Sequence, residues 1–126
     1  MNYVKSFREL DVYKLSRQLS KEIFEITKTF PKEERYSLTD QVRRSSRSVG
    51  AQIAEAWGKR KYVRHFTSKL TDADAEQLET QHWIETAFEC KYITWAEARH
   101  FLDTCLSIGK MLGMMMEKAS TFCGKL

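Results

Sequence analysis

Two Glu-x-x-His tetrads stand in the sequence, Glu79-Thr80-Gln81-His82 and Glu97-Ala98-Arg99-His100. Two such motifs with two further glutamates form the ligand set of di-iron carboxylate proteins built on helical bundles. Placement argues against that chemistry here. On a helical wheel Glu79, His82 and His100 lie far from the apolar stripes of their helices, so they are expected at the surface. With 17 acids and three histidines among 126 residues, such spacings arise by chance. No metal and no cofactor are expected. Cys90, Cys105 and Cys123 are odd in number, lack a C-x-x-C and stand in apolar or terminal settings. They read as reduced thiols rather than disulfides, zinc ligands or nucleophiles. No Gly-rich phosphate loop, G-x-S-x-G or H-E-x-x-H occurs. No catalytic residue is assigned, and the chain reads as a non-enzyme.

Charge is the stronger chemical signal. Gln41 to His65 holds seven Lys and Arg against one acid, Glu55, a net +6 in a chain of net +4. The remaining residues therefore sum to −2. Arg43, Arg44 and Arg47 are expected to project away from the inner stripe of a helix, and Lys59, Arg60, Lys61 and Arg64 cluster in the turn that follows. Arginine matches phosphate geometry in a bidentate way, and Tyr62 and His65 offer rings for base stacking. RNA or DNA backbone is one partner for this patch, and an acidic protein is another. A subunit interface or a plain solvated face would concentrate charge equally. No helix-turn-helix, RNA-recognition or zinc-finger signature appears, so sequence-specific readout is not expected.

The elements that must position these residues are helical. One proline and five glycines leave little punctuation for a many-stranded sheet. A first helix from about Glu9 to Phe30 carries Val12, Leu15, Leu19, Ile23, Ile26 and Phe30 at steps of three and four. Pro31 ends it. A second runs from about Ser37, a candidate N-cap with Asp40 at N3, to Trp57, with Gly58 at its C-terminal boundary. A third spans about Tyr62 to Cys90. Thr94-Trp95-Ala96-Glu97 reads as a capping box opening a fourth helix to about Ala119, with Met116 among its inward residues. Short connections make this an all-α, antiparallel up-down four-helix bundle. The chain reads as a single domain over 1–126, ordered from about 7 to 119, with frayed termini including the tail STFCGKL. The start lacks a signal-peptide h-region and no apolar run approaches membrane-spanning length, so a cytoplasmic protein with no membrane contact is expected.

Some faces exceed what a lone bundle needs. Leu10, Tyr13, Arg17, Ser20 and Phe24 step by three and four on the side of the first helix opposite its core stripe, the spacing of a seam against another helix. Gly50, Ala51 and Ala54 are expected outward on the second helix, where small residues admit a close neighbour. Between Thr71 and Cys90 six acids stand without a Lys or Arg. Basic and acidic faces could pair within one chain or between copies. Leu10, Tyr13, Arg17, Phe24, Ala51 and Ala54 are the candidate oligomer interface.

The ordered set of residues also resembles a family. Phe7, Leu10 and Tyr13, then Phe30-Pro31, Glu34 through Leu38, Gln41, Arg43, Arg44, Ser48 and Ile53-Ala54-Glu55 are similar to the bacterial four-helix-bundle proteins encoded in intervening sequences of 23S rRNA genes. The stretch Phe66 to Thr94 continues the likeness, which covers about Phe7 to Met115. The chain departs from the family pattern at Ala56, at Ala75-Glu76 and at Lys91, where the family carries a glycine before Tyr92. The resemblance implies a homopentameric ring with no catalytic activity. A related protein, the accessory subunit of diversity-generating retroelements, implies a basic barrel that binds a reverse transcriptase and nucleic acid.

Overall fold

Thr94 and Glu97 close a reciprocal cap. The Thr94 hydroxyl accepts from the Glu97 amide at 3.1 Å, and Glu97 Oε1 accepts from the Thr94 amide at 2.8 Å. The computed structural model, which describes residues 4–124, thus starts a helix where the capping box predicts one. Four long helices result: α1 (Asp11–Thr27), α2 (Leu38–Gly58), α3 (Val63–Glu89) and α4 (Trp95–Glu117). A short α5 (Ala119–Phe122) follows. Single 3-10 turns at Phe7–Glu9 and Lys32–Glu34 precede α1 and α2, and no strand occurs among the described residues. No helix among them is long and apolar enough to cross a membrane.

Several boundaries differ from expectation for physical reasons. Leu10 is the extended N-cap of α1, preceded by the 3-10 turn that Ser6 caps, so the helical wheel does not apply to it. α1 ends at Thr27, whose hydroxyl donates to the Ile23 carbonyl at 2.7 Å. Ser37 occupies the N-cap of α2 but makes no side-chain bond there; Glu34 Oε1 accepts from the Leu38 amide instead, at 3.4 Å. Gly58 is the last helical residue rather than a left-handed cap.

Lys91, not glycine, takes the left-handed position after α3, with φ 64°. The Tyr92 amide donates to Ala87 O at 3.0 Å and the Lys91 amide to Phe88 O at 2.9 Å. These are the two bonds of a Schellman cap.

The core lies where the four long helices meet. α2 touches α1 and α3, and α4 touches α3 and α1. Leu19, Ile23, Val49, Ile53, Phe66 and Leu112 are fully buried at its centre. On α4, Met115 is buried and Met116, expected inward, is half-buried. One polar pair sits inside: Ser45 and Thr80 share a hydrogen bond of 2.8 Å between α2 and α3. Beyond Ser120 the tail packs back onto the bundle. Phe122 stacks on Phe66 at 5.8 Å, Cys123 is buried, and the Gly124 amide donates to the Arg60 carbonyl at 3.2 Å. The fraying expected at 1–3 and 125–126 lies outside the described residues.

Candidate nucleic-acid interface

Consecutive helical residues point about 100° apart, so Arg43 and Arg44 leave α2 toward different neighbours. Arg43 turns to α1. Its Nε donates to Thr27 Oγ1 at 2.7 Å, its Nη2 to the Phe24 carbonyl at 3.4 Å, and its guanidinium lies 4.5 Å from the Phe24 ring centre. A cation there complements the negative end of the α1 dipole. Arg44 turns to α3 and pairs with Glu79 and, at 3.4 Å, with Glu76. Arg47, one turn on, is exposed, lies 5.3 Å from the same Phe24 ring and makes no ion pair among the described residues.

The expected patch is therefore three environments rather than one. Arg44 is neutralised by its own chain. Arg47 joins Arg17 and Lys21 of α1 around a cleft that Phe24 also lines, and Arg43 lies against the same ring. The turn cluster stands apart, because 16 residues of helix from Arg43 to Lys59 span about 24 Å. In that cluster Arg60 is fixed: its guanidinium sits 3.6 Å from the Trp57 ring centre and its Nε donates to the Trp57 carbonyl at 2.8 Å. Lys59, Lys61 and Arg64 are exposed beside Tyr62 and His65, whose rings meet at 5.3 Å. No carboxylate pairs with any of these four cations among the described residues.

The acids of α3 are largely occupied. Glu76 and Glu79 hold Arg44, and Asp72 approaches Lys69, which also meets Glu55 at 3.4 Å. Burial pushes the Glu79 carboxyl up. Hydrogen bonds from Trp83 and Arg44 and the Arg44 charge outweigh it and leave the group below its ordinary value. The same contacts, led by the hydrogen bond to Glu79, raise Arg44.

The candidate oligomer seam is partly corrected. Leu10 is only 7% exposed and belongs to the core. Gly50 is buried and faces α1, where an added Cβ would lie 3.1 Å from Ser16 Oγ. Tyr13, Arg17, Arg47, Ala51 and Ala54 do share one shallow groove of about 220 Å³ between α1 and α2. Tyr13 is half-buried, edge-on to Phe7 at 4.9 Å. Phe24 is half-buried beneath Arg43 and Arg47 rather than bare.

The two Glu-x-x-His motifs are not brought together. Glu97 is committed to its cap, Glu79 to Arg44 and Trp83, and His82 is exposed against Trp83. His100 Nε2 meets Glu22 Oε1 at 2.6 Å. Burial raises Glu22, but the hydrogen bonds from His100 and Gln18 hold it below its ordinary value. No group of three or more potential metal ligands gathers among the described residues. Cys105 is buried, which pushes its thiol up to about 12, and Cys90 is exposed. Sequence reasoning misses Arg35, Tyr36 and Thr39 around the head of α2 and Lys21 on α1, because all four fall outside the charge-dense stretch from Gln41 to His65.

A crystal structure from Bacteroides thetaiotaomicron, described as a protein of unknown function from the S23 ribosomal protein family, superposes with a TM-score of 0.76 at 27% identity. The alignment covers 84% of this chain and 95% of that one. A comparison with curated proteins found no match. The sequence model of the 23S rRNA-intervening sequence protein family matches residues 8–114, and the chain belongs to that family.

Proposed function

We propose that this chain is a non-catalytic, up-down antiparallel four-helix bundle that self-assembles, with a pentameric ring favoured by its family resemblance. In this reading it holds nucleic-acid backbone through the α2–α3 turn. One observation carries it: Lys59, Arg60, Lys61 and Arg64 gather beside Tyr62 and His65 with no carboxylate partner among the described residues, while nearby acids are drawn to Arg44 and Lys69. A solvated face that merely balanced charge would interleave acids here. Repeating the cluster around a ring multiplies affinity by avidity.

The test is a titration against structured RNA and duplex DNA at several salt concentrations. Binding should weaken with salt at a log–log slope of about −0.9 per neutralised phosphate on duplex. Replacing Lys59 and Lys61 with Gln should flatten that slope. A protein that binds neither nucleic acid near about 50 mM salt would overturn the reading. The native mass, measured alongside, should be a multiple of the protomer.

A second reading has its own observation. The α1–α2 groove sets Tyr13 beside Ala51 and Ala54, a surface suited to another helix. A scaffold that binds only its own copies and a protein partner would use that groove. A parent chain that binds no nucleic acid while its native mass stays a multiple of the protomer would favour it over the turn cluster.

A further inference from the structure

Arg35, Tyr36, Thr39, Arg43 and Arg47 border a cavity of about 650 Å³ over the first turns of α2. Among the described residues, Arg35, Arg43 and Arg47 make no ion pair. Arg44 also lines the cavity, though its charge goes to Glu76 and Glu79. Asp40 is the single carboxylate of the lining, placed in the first turn where it suits the helix dipole. The positive end of α2 opens here. Ser37 gives no side-chain cap, and the amides of Thr39 and Asp40 find no acceptor among the described residues.

Thr39 supplies an independent sign of a missing partner. It is 7% exposed, and its Oγ1 has no hydrogen-bond partner among the described residues. Threonines inside the helices, Thr27, Thr67, Thr80 and Thr86, return their hydroxyls to the carbonyl four residues back. Thr39 is the second residue of α2, so the carbonyl four residues back precedes the helix, and its buried hydroxyl is left unpaired, which is costly.

We propose that this cavity is a phosphate-binding site, filled by a phosphodiester of a single-stranded nucleic acid whose base stacks on Tyr36. Guanidinium forks from Arg35 and Arg47, the Thr39 hydroxyl and the first-turn amides are the donors an oxyanion at a helix N-terminus takes. Arg43 is already fixed by Thr27, so its charge is pre-organised. Asp40 opposes a dianion more than a monoanion, which favours a diester over free phosphate. Tyr36 is 86% exposed, an open platform for a base. The inference rests on the proposed nucleic-acid role only in naming a strand as the source of the phosphate.

The experiment follows the amide resonances of Thr39 and Asp40 in labelled full-length protein during titration. One arm uses inorganic phosphate and the other a short single-stranded oligonucleotide. Saturable shifts with the oligonucleotide are expected, weakened roughly tenfold, equivalent to about 1.4 kcal/mol, by Thr39→Val or by Arg47→Gln. Thr39→Val should leave the Tm unchanged or raised, so its loss of binding is not a loss of fold. Tyr36→Ala should weaken the oligonucleotide and leave inorganic phosphate unaffected. Shifts with inorganic phosphate alone would keep the phosphate site and assign it to small anions. No shift with either probe, or shifts indifferent to both Thr39→Val and Arg47→Gln, would overturn the proposal. The Lys59→Gln/Lys61→Gln variant should retain these shifts, so failure at the turn and failure at this cavity are read separately.

Discussion

Arg43 Nε donates to Thr27 Oγ1 at 2.7 Å, so a side chain that composition assigns to a surface patch locks the C-terminus of α1 onto α2. Removing it takes the donor from the buried Thr27 hydroxyl oxygen, while the Phe24 carbonyl keeps the Thr27 hydroxyl at 3.0 Å. Arg43→Ala is expected to destabilise the fold by about 1–3 kcal/mol, the range for hydrogen bonds to a charged group and the groups left behind. Arg47→Ala, which loses only a contact with Phe24, should stay within about 0.5 kcal/mol. Urea unfolding of both variants checks the contrast. A double-mutant cycle with Thr27→Val should recover most of the Arg43 effect as coupling; additive effects would show that Arg43 acts through Phe24 alone.

Lys91 supports the Schellman cap of α3 in a conformation that glycine adopts without strain. A β-carbon in the left-handed region costs roughly 1–2 kcal/mol, part of which glycine returns through its greater freedom when unfolded. Lys91→Gly is therefore expected to stabilise by about 1 kcal/mol, read as a Tm rise of about 3–5 °C for a chain of this size. Lys91→Ala keeps the β-carbon and should give no gain. Equal Tm values for the glycine and alanine variants would refute strain at this position.

These two residues also mark where sequence reading worked and where it stopped. The cap at Thr94 and Glu97 was legible because both partners lie within one turn of chain. The apolar stripe of α1 is legible through its period. A helical wheel misplaces Leu10 because it assumes helix, and the chain there is extended. On sequence alone Gly50 falls on the outward side, yet it lies against Ser16 and Tyr13, since which side of α2 meets α1 is settled only by assembling the helices. The divergence of Arg43 and Arg44 has the same origin. The basic patch was visible as composition, but its division into a neutralised residue, an anchored residue and a separate turn cluster depends on partners 16 to 35 residues away. The docking of Phe122 on Phe66 is likewise non-local.

Gly50 should be sensitive to size rather than to the mere presence of a side chain. An alanine β-carbon would lie 3.1 Å from Ser16 Oγ and 3.6 Å from the Tyr13 ring. The Ser16 hydroxyl is itself held by the Tyr13 carbonyl at 2.7 Å. The helix-propensity gain of alanine, about 0.8–1 kcal/mol, offsets a small shift of Ser16, so Gly50→Ala should change stability by less than about 1 kcal/mol. Gly50→Leu cannot fit between α1 and α2 and should cost about 1–3 kcal/mol. Thermal unfolding of the pair measures the difference, and a leucine variant as stable as the alanine one would show that the two helices do not approach closely here.

The Arg44–Glu79 pair predicts a pH dependence whose sign can be fixed. Burial raises the Glu79 carboxyl, but Trp83, donating at 2.9 Å, and Arg44 bring its folded value below the ordinary 4.5. A carboxylate depressed on folding stabilises fully above its unfolded value, and that contribution is lost as pH falls through the folded value. The Arg44 side chain is 47% exposed and that of Glu79 36%, so solvent screens the pair and its contribution should be at most about 1 kcal/mol. The stability difference between the parent chain and Arg44→Gln should then be constant from about pH 6 to pH 8 and shrink below about pH 4.5. It should also shrink in about 1 M salt, where the screening length falls to about 3 Å. Urea unfolding followed by tryptophan fluorescence, with Trp83 beside the pair, reads both dependences. A difference that persists unchanged at about pH 3 would mean that Arg44 stabilises by packing its stem against α3 and not through its charge.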